Sequence, residues 1–145
     1  MRAATAADLA AVRACVDAAY DPYRKRMATA PAPLLDDYAA LIDRGVVAVA
    51  LLDDAVIGAI VTWPENDHLY VDNIAVHPDA QGSGVGSTLL AHAEQMARRL
   101  DHTQIRLYTN EVMTENLEYY PRRGFVETHR ALDAGYHRVF FTKHL

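Results

Sequence analysis

Apolar and polar positions along the chain follow helical and strand periods in turn, with no linker, repeat or low-complexity tract between the segments. Apolar residues recur at helical spacing over residues 6–20, and Thr5 with Asp8 can cap the start of that helix. The same spacing predicts further helices over residues 34–43, 85–100 and about 114–120. Residues 21–33 hold three prolines and a basic run, so we predict an irregular segment there.

Short runs of alternating or continuous apolar residues predict the strands. They lie near Met1 and over residues 46–52, 55–62, 69–76, 104–109, 125–130 and 137–143. The strands at 46–52 and 55–62 are joined by Asp53 and Asp54, which predicts a hairpin. Strands before, between and after helices predict an α/β fold with a mixed sheet.

The composition is that of one globular domain over residues 1–145, with 51% hydrophobic residues. No apolar run approaches membrane-spanning length and no secretory hydrophobic segment is seen at the start, so we expect no membrane partner. The single cysteine, Cys15, fits a reducing cytoplasm and falls on the helical pattern, where a small core residue is expected. A net charge of −5 gives no support for a nucleic-acid partner.

A glycine-rich loop follows the apolar run over residues 69–76. Pro78 and Asp79 predict a turn, and Gly82, Gly84 and Gly86 come just before an amphipathic helix. A strand, a glycine loop and a helix N-terminus together form a phosphate-binding arrangement, because glycine allows close backbone approach and the helix amides favour an anion.

Spacing separates three phosphate-binding loops. A Walker loop needs lysine after its last glycine, but Ser87 follows Gly86 here. A Rossmann loop needs G-x-G-x-x-G, whereas this loop reads G-x-G-x-G. The pattern [Q/R]-x-x-G-x-[G/A] is satisfied from Gln81 onwards, and in this it resembles the pyrophosphate loop of the GNAT superfamily of acetyl-CoA-dependent N-acetyltransferases.

A second motif strengthens this resemblance. Residues 107–125 read L-Y-T-N-E-V-M-T-E-N-L-E-Y-Y-P-R-R-G-F, which resembles the strand, short helix and Y-x-x-x-G-[F/Y] of the same superfamily. Tyr120, Gly124 and Phe125 occupy the pattern. A helix that merely ends at a glycine cap explains the last two residues but not Tyr120. The two motifs lie in family order and together cover roughly the C-terminal half.

The resemblance implies a GNAT fold, with a mixed, mostly antiparallel central sheet that is splayed at the acetyl-CoA strand and flanked by helices. It implies acetyl-CoA as cosubstrate and a primary amine, on a small molecule or a peptide, as acceptor. The loop residues that it assigns to the pyrophosphate are Gln81, Gly82, Ser83, Gly84, Val85, Gly86 and Ser87. The strand residues whose backbone it assigns to the pantetheine arm are Ile74, Ala75 and Val76.

Tyr120 matches the family position that protonates the departing thiolate. A tyrosine with a pKa near ~10 can donate to a thiolate whose thiol titrates near ~8.5. Its alternative role is an aromatic cover for the cofactor. Tyr119, its neighbour, is expected to pack.

The general base stays open. Asp72 is the first candidate, since several relatives carry a carboxylate at this position that acts through water, and strand alternation puts Tyr70 and Ile74 on its face. Glu111 is the second candidate, and water alone is the third. His68 and His77 have suitable unperturbed pKa values near ~6.5 but fall at strand ends.

Asparagine side chains near the second motif are candidates for the pantetheine. The family often has Asn seven positions before the tyrosine, where this chain has Met113. Asn116, one turn before Tyr120, can do a similar job, whereas Asn110 is equally well explained as a turn residue.

The acceptor is the least defined partner. By resemblance, residues 20–33 and 130–136 border its groove, where carboxylates such as Asp133 can attract an ammonium but equally suit a solvated surface. A homodimer stays open. The histidines form no metal-binding pattern, so no metal is expected. The alternative function is a catalytically silent acyl-CoA-binding or sensory domain that keeps the loop.

Overall fold

The computed structural model describes residues 1–27 and 29–145, which leaves Ala28, in the predicted irregular segment, outside the described residues. The strands within these ranges are β1 (Arg2–Ala3), β2 (Val47–Leu52), β3 (Ala55–Pro64), β4 (Leu69–Val76), β5 (Gln104–Asn110), β6 (Val126–Asp133) and β7 (Tyr136–His144). The α-helices are α1 (Leu9–Tyr20), α2 (Tyr38–Asp43), α3 (Val85–Arg99) and α4 (Thr114–Tyr119). The strands form one sheet in the order β1-β2-β3-β4-β5-β7-β6.

This mixed α/β architecture confirms the predicted fold class. Its recorded pairings are antiparallel except for β4 with β5, which are parallel. The chain divides into two compact units, each described by itself below. The first unit is Met1–Thr62 with Asn73–His92, and the second unit is Trp63–Asp72 with Ala93–Leu145.

In the first unit, the predicted capping pair is present at the start of the first helical segment. The backbone N–H of Thr5 donates to the carboxylate of Asp8 at 2.7 Å, and α1 then runs to Tyr20 as predicted. The buried face of α1 consists of Val12, Cys15, Val16 and Ala19. The hairpin of β2 and β3 turns at Asp53 and Asp54, whose φ angles of 49° and 65° are those of a two-residue hairpin turn.

The second helix is shorter than the sequence pattern predicts. It begins at Tyr38 instead of residue 34, because the side chain of Asp37 accepts from the Ala40 amide at 3.1 Å and so caps a start at that point. Residues Ala32–Leu35 form a separate 3₁₀ turn with Pro33 in its first turn. Another 3₁₀ turn, Asp21–Arg26, lies in the segment that we predicted to be irregular.

In the second unit, β5 pairs with β7 along its whole length, from Gln104 with His144 to Asn110 with Arg138. The parallel pairing of β4 with β5 covers three positions, from Leu69 with Ile105 to Val71 with Leu107. The largest fully buried side chains of this unit lie on these strands: Leu69, Ile105, Val139 and Phe141.

The last strand in the sheet order, β6, has eight residues, and all of them are exposed. It pairs with β7 on one side, and its register shifts between Glu127 and His129, which leaves a bulge at Thr128. The turn to β7 is formed by Ala134 and Gly135, both with positive φ.

None of the helices in residues 1–27 and 29–145 has the length and apolar character that a membrane span requires.

Candidate functional site

The strand β4 alternates between buried and half-buried residues along its whole length. Asp72 is half-buried together with Tyr70 and Ile74, while Asn73 is buried on the opposite face. The alternation predicted these orientations. Asp72 therefore lies on the more accessible face of the strand that leads to the glycine loop.

The glycine loop of the first unit has the backbone conformation of an anion cradle. Gly82 and Gly84 have φ angles of 82° and 88°, and a Cβ at either position would meet no neighbouring atom within 4 Å. The amide of Thr88 donates to the Gly84 carbonyl at 3.0 Å and so makes an early helical hydrogen bond of α3. The amides of the preceding residues lie in the first turn, where a helix has no carbonyl of its own to offer them. Left-handed glycines before such a turn fit a phosphate group.

Side chains of the loop brace its own backbone. The Ser83 hydroxyl donates to the Ala80 carbonyl, and the Gln81 side-chain amide lies 3.5 Å from the Val76 carbonyl. His77 Nδ1 accepts from the Asp79 amide at 3.1 Å, so the ring of His77 supports the turn that enters the loop. This contact gives His77 a structural role in the loop.

A close contact that the sequence analysis missed holds α3 against the strand beside it. A Cβ on Gly58 would lie 2.8 Å from Val85 Cγ1, 3.2 Å from Leu89 Cδ1 and 3.3 Å from the Ala75 carbonyl oxygen. Glycine at position 58 therefore lets the first turn of α3 approach β3 closely. An isolated glycine inside a strand pattern is the sequence signal for such an approach.

In the second unit, Tyr120 sits immediately after α4 and is 8% exposed. Its ring contacts those of Phe125 and Phe141, with centroid distances of 5.6 and 5.7 Å. Gly124 has a φ of 90°, and the Phe125 amide returns to the Tyr120 carbonyl at 3.2 Å. The Y-x-x-x-G-F motif is thus a left-handed turn that folds its last residue back onto its first.

Tyr119 packs, as expected. The Arg123 guanidinium lies over its ring at 3.6 Å, and burial raises the pKa of the Tyr119 hydroxyl. The two adjacent tyrosines therefore occupy different surroundings, and this difference makes Tyr119 a matched control for Tyr120.

The two candidate asparagines have different partners. Asn116 Nδ2 donates to Thr109 Oγ1 at 3.0 Å and lies 3.6 Å from Met113 Sδ. Asn110 Oδ1 accepts from the Val112 amide at 3.0 Å, which is the turn role considered for it. Met113, at the position where the family often has asparagine, is buried beside Asn116 and Thr109.

Tyr70, which strand alternation placed on the face of Asp72, lies beside Tyr108, a neighbour that the sequence analysis missed. Burial raises the pKa of Tyr70, and the neighbouring Tyr108 hydroxyl and the negative charge of Asp72 raise it further. The rings of Tyr70 and Tyr108 are 6.0 Å apart, and Arg138 lies over the Tyr108 ring at 4.1 Å. Tyr70 is therefore a neutral phenol beside Asp72 at physiological pH.

The other acidic and basic candidates of the second unit have close polar partners. Glu111 lies 3.3 Å from Arg130, and Asp133 lies 2.6 Å from Arg138. His68 Nδ1 lies 2.8 Å from Asp67. Glu111 and Asp133 therefore each have an arginine close by.

A cleft of about 280 Å³ in the first unit is separate from all of these residues. It is lined by Ala4, Thr5, Ala6, Leu9, Ala39, Ile42 and Asp43. Within residues 1–27 and 29–145, no three His, Cys, Asp or Glu side chains are grouped so that they could hold a metal ion.

The family model described as the acetyltransferase (GNAT) family matches residues 12–125. This chain belongs to the GNAT family of acetyltransferases. The resemblance carried by the two motifs is therefore confirmed, and the protein is an acyltransferase by family. No curated protein matches the chain in sequence.

Solved structures of GNAT proteins share its fold. PaiA N-acetyltransferase from Thermoplasma acidophilum, in complex with coenzyme A, has a TM-score of 0.84 at 16% identity, over 99% of this chain and 97% of that one. An acetyltransferase of the GNAT family from Desulfovibrio desulfuricans has a TM-score of 0.79 at 21% identity, over 99% and 96%. A GNAT acetyltransferase from Elizabethkingia anophelis with acetyl-CoA bound has a TM-score of 0.62 at 24% identity, over 82% and 94%.

The candidate residues of this GNAT protein fall into both compact units. The strand end with Ile74, Ala75 and Val76 and the whole glycine loop belong to the first unit. Asp72, Asn116 and Tyr120 belong to the second unit. Each group has the local geometry described above.

Proposed function

We propose that this protein moves the acetyl group of acetyl-CoA to a primary amine by direct attack of the amine within a ternary complex. The observation that carries the proposal is the glycine loop, in which Gly82 and Gly84 are both left-handed and lead directly into α3. This arrangement suits the pyrophosphate of coenzyme A. Membership of the GNAT family and the coenzyme A complexes of PaiA and of the Elizabethkingia protein support the same cosubstrate.

The loop residues hold the cosubstrate through backbone groups. The amides of Gly82, Gly84, Val85 and Gly86, with the hydroxyl of Ser87, bind the pyrophosphate. Gln81 and Ser83 shape the loop, since their amides donate to the Pro78 and Ala80 carbonyls at 3.3 Å. Backbone groups of Ile74, Ala75 and Val76 bind the pantetheine arm in the manner of an added strand, and donors there polarise the thioester carbonyl. The Tyr20 hydroxyl, which donates to Asn73 Oδ1 at 2.6 Å, also lies 3.2 Å from the Ile74 carbonyl.

Asn116 is the side chain that we assign to the pantetheine from the second unit. Its Nδ2 is held by Thr109, which fixes the orientation of the amide. Its Oδ1 then accepts a hydrogen bond from the pantetheine. The turn contact of the Asn110 side chain supports the choice of Asn116 over Asn110.

Tyr120 acts as the general acid that gives a proton to the departing thiolate. Asp72 acts as the general base, through water, that takes a proton from the attacking ammonium. The place of Asp72 on the more accessible face of β4, the strand that leads to the glycine loop, supports this assignment.

We further propose that residues 1–145 act as one catalytic domain in the cytoplasm. The family match over residues 12–125 includes parts of both compact units, which supports a single functional domain. The single buried cysteine fits a reducing compartment. The acceptor is a small-molecule or peptide amine, and assembly into a homodimer is compatible with this function.

An amine panel tests the function. The wild-type protein is given acetyl-CoA with benzylamine, L-lysine, spermidine, kanamycin and a short peptide with a free N-terminus, and release of the coenzyme A thiol is measured. We expect turnover with at least one amine, and a kcat lower by roughly tenfold or more in Tyr120→Phe, in line with general-acid contributions. Tyr119→Phe is the matched control, with a kcat close to wild type.

Two results would contradict the proposal. Binding of acetyl-CoA without turnover of any amine would favour a silent acyl-CoA-binding domain. Equal kcat values for Tyr120→Phe and Tyr119→Phe would leave Tyr120 with a packing role against Phe125 and Phe141.

A further inference from the structure

A chain of hydrogen bonds in the first unit joins three side chains that the function above does not use. The Tyr20 hydroxyl lies 2.6 Å from Asn73 Oδ1, and Asn73 Nδ2 lies 2.8 Å from the Tyr38 hydroxyl. The Tyr38 hydroxyl in turn lies 2.7 Å from the Pro33 carbonyl. Asn73 is 5% exposed and Tyr38 is 2% exposed, so the centre of the chain is shielded from water.

The direction of each hydrogen bond follows from the groups involved. The Tyr38 hydroxyl has one proton, which it donates to the Pro33 carbonyl, so towards Asn73 it acts as an acceptor and faces Nδ2. The other end of the amide, Oδ1, then accepts from Tyr20. The amide of Asn73 is therefore fixed in one orientation, with a different partner for each end.

The two arms of this hydrogen-bond chain, Tyr20 and Tyr38, lead to the two ends of one polypeptide segment. Tyr20 ends α1 and begins residues 20–33, and Pro33 closes that segment. Between these ends Pro31 is fully buried, and most of the other described side chains are exposed, among them Asp21, Arg24, Lys25 and Arg26. A segment with few buried side chains depends on its anchored ends for a defined position.

Asn73 lies in the chain between the proposed base and the first of the proposed pantetheine residues. Asp72 precedes it and Ile74 follows it, and the Tyr20 hydroxyl is also 3.2 Å from the Ile74 carbonyl. The buried amide thus belongs to the strand of the proposed acetyl-CoA site and contacts Tyr20, at one end of the segment that borders the acceptor in the GNAT resemblance. It reaches Pro33, at the other end, through the Tyr38 hydroxyl.

We propose that Asn73 is a positioning residue for the acceptor amine: its amide holds both ends of residues 20–33 on β4. The inference rests on the proposed function, because it needs an acceptor amine. Tyr20 and Tyr38 are the two arms of this device. Loss of either arm frees one end of the segment and weakens acceptor binding, while the glycine loop that binds acetyl-CoA is left intact.

Two conservative variants test this role. Tyr20→Phe and Tyr38→Phe each remove one hydroxyl and keep the ring. Asn73→Leu would remove the Asn73 partner of both hydroxyls at once and can prevent folding. The control is Thr62→Val, which removes a buried hydroxyl from β3 in the same unit. We compare the wild-type protein, Tyr20→Phe, Tyr38→Phe and Thr62→Val by melting temperature, by hydrogen exchange of residues 20–33, and by KM for acetyl-CoA and for the best amine of the panel.

We expect exchange within residues 20–33 to be about three to ten times faster in both tyrosine variants, the factor that corresponds to one lost hydrogen bond. The KM for the amine rises by a similar factor, and the KM for acetyl-CoA changes by less than about twofold. Thr62→Val lowers the melting temperature but leaves exchange in residues 20–33 and both KM values near wild type.

The outcomes separate this inference from the proposed function. Unchanged exchange, or an unchanged amine KM in an active protein, overturns the positioning role alone. Equal rises of the exchange rate and of the amine KM in Thr62→Val also overturn the positioning role, because they show a general loss of stability. If the wild-type protein acetylates no amine in the panel, the proposed function is wrong and the acceptor role of Asn73 is wrong with it.

Discussion

The rings of Tyr120 and Phe125 meet edge to face, with centroids 5.6 Å apart and planes at 72°. Residues in such a pair support each other, because each ring fills the space that the other would leave empty. The backbone hydrogen bond from the Phe125 amide to the Tyr120 carbonyl fixes the same contact from the main chain. The proposed acid is thus held by the last residue of its own motif.

Phe125→Leu tests this support. We expect the free energy of unfolding to fall by about 1–3 kcal/mol, since the aromatic contact and part of the buried volume are lost. Urea unfolding gives this quantity. Val126→Ala is the neighbouring control, and because Val126 is 64% exposed its effect should stay within about 0.5 kcal/mol. Equal effects of the two substitutions would show that the contact adds no stability.

Gly84 tests the loop. Gly84→Ala puts a side chain at a φ of 88° without a steric clash, which costs about 1–2 kcal/mol of backbone strain. Gly84→Asp adds a negative charge beside the pyrophosphate, and a like charge nearby should weaken coenzyme A binding by roughly tenfold or more. Isothermal titration measures this affinity.

Gly45→Ala is the matched control for the loop variants, because Gly45 has a φ of 75° and the same open surroundings. It should lose similar stability and keep its affinity for coenzyme A. An unchanged affinity in Gly84→Asp would mean that the loop assignment itself is wrong.

Gly58→Ala tests the close approach of α3 to β3. The new Cβ would lie 2.8 Å from Val85 Cγ1, so the helix must shift, and we expect a loss of about 1–3 kcal/mol in unfolding free energy. Val85→Ala removes the clashing atom. In a double-mutant cycle the pair should therefore be less destabilised than the sum of the single variants, and simple additivity would argue against the contact.

Asp8 gives a prediction for pH. Its hydrogen bonds with Arg2, at 2.7 and 3.0 Å, and with the Thr5 amide lower its pKa below the usual value near ~3.9. A carboxylate with a lowered pKa in the folded state stabilises the fold above the unfolded pKa, and this contribution is lost as the pH falls towards the folded pKa. The stability difference between wild type and Asp8→Asn should be constant from about pH 7 to 5 and shrink below about pH 4. Urea unfolding at several pH values measures it, and a difference that grows in acid would contradict the assignment.

Cys15 gives a prediction for thiol chemistry. It is 1% exposed, and burial raises its pKa to about 11. The folded protein should therefore react slowly with Ellman's reagent at pH 8 and quickly after denaturation. Rapid labelling of the folded protein would show that α1 opens readily. A slow reaction also means that thiol release from coenzyme A can be measured with little background from the protein.

Much of the fold follows from local patterns. The alternation over residues 69–76 gave the bounds of β4, and Thr5 with Asp8 marked the start of the first helical segment, because these signals depend only on neighbouring residues. The predicted start of α2 at residue 34 was wrong. Leucines at 34 and 35 fit a helical period, but Pro33 and the cap at Asp37 decide that the helix begins at Tyr38.

The site shows the same division. The left-handed turns at Gly82, Gly84 and Gly124 each fall on a glycine, which is a local signal in the sequence. The role of Gly58 and the hydrogen bonds of Asn73 were missed, because each depends on partners that are distant in the chain: Gly58 on Val85, Asn73 on Tyr20 and Tyr38. A polar residue at an inward-facing strand position was the one local sign of the Asn73 contacts.

The exposed strand β6 bears on how the protein behaves at high concentration. A free sheet edge recruits strands from other chains unless charges or irregularities prevent it. Here the bulge at Thr128 and the charged side chains of Glu127, Arg130 and Asp133 supply that protection. Substitutions that neutralise these side chains would leave the melting temperature nearly unchanged and would instead promote aggregation, so they are to be avoided in any variant made for crystallisation or assay.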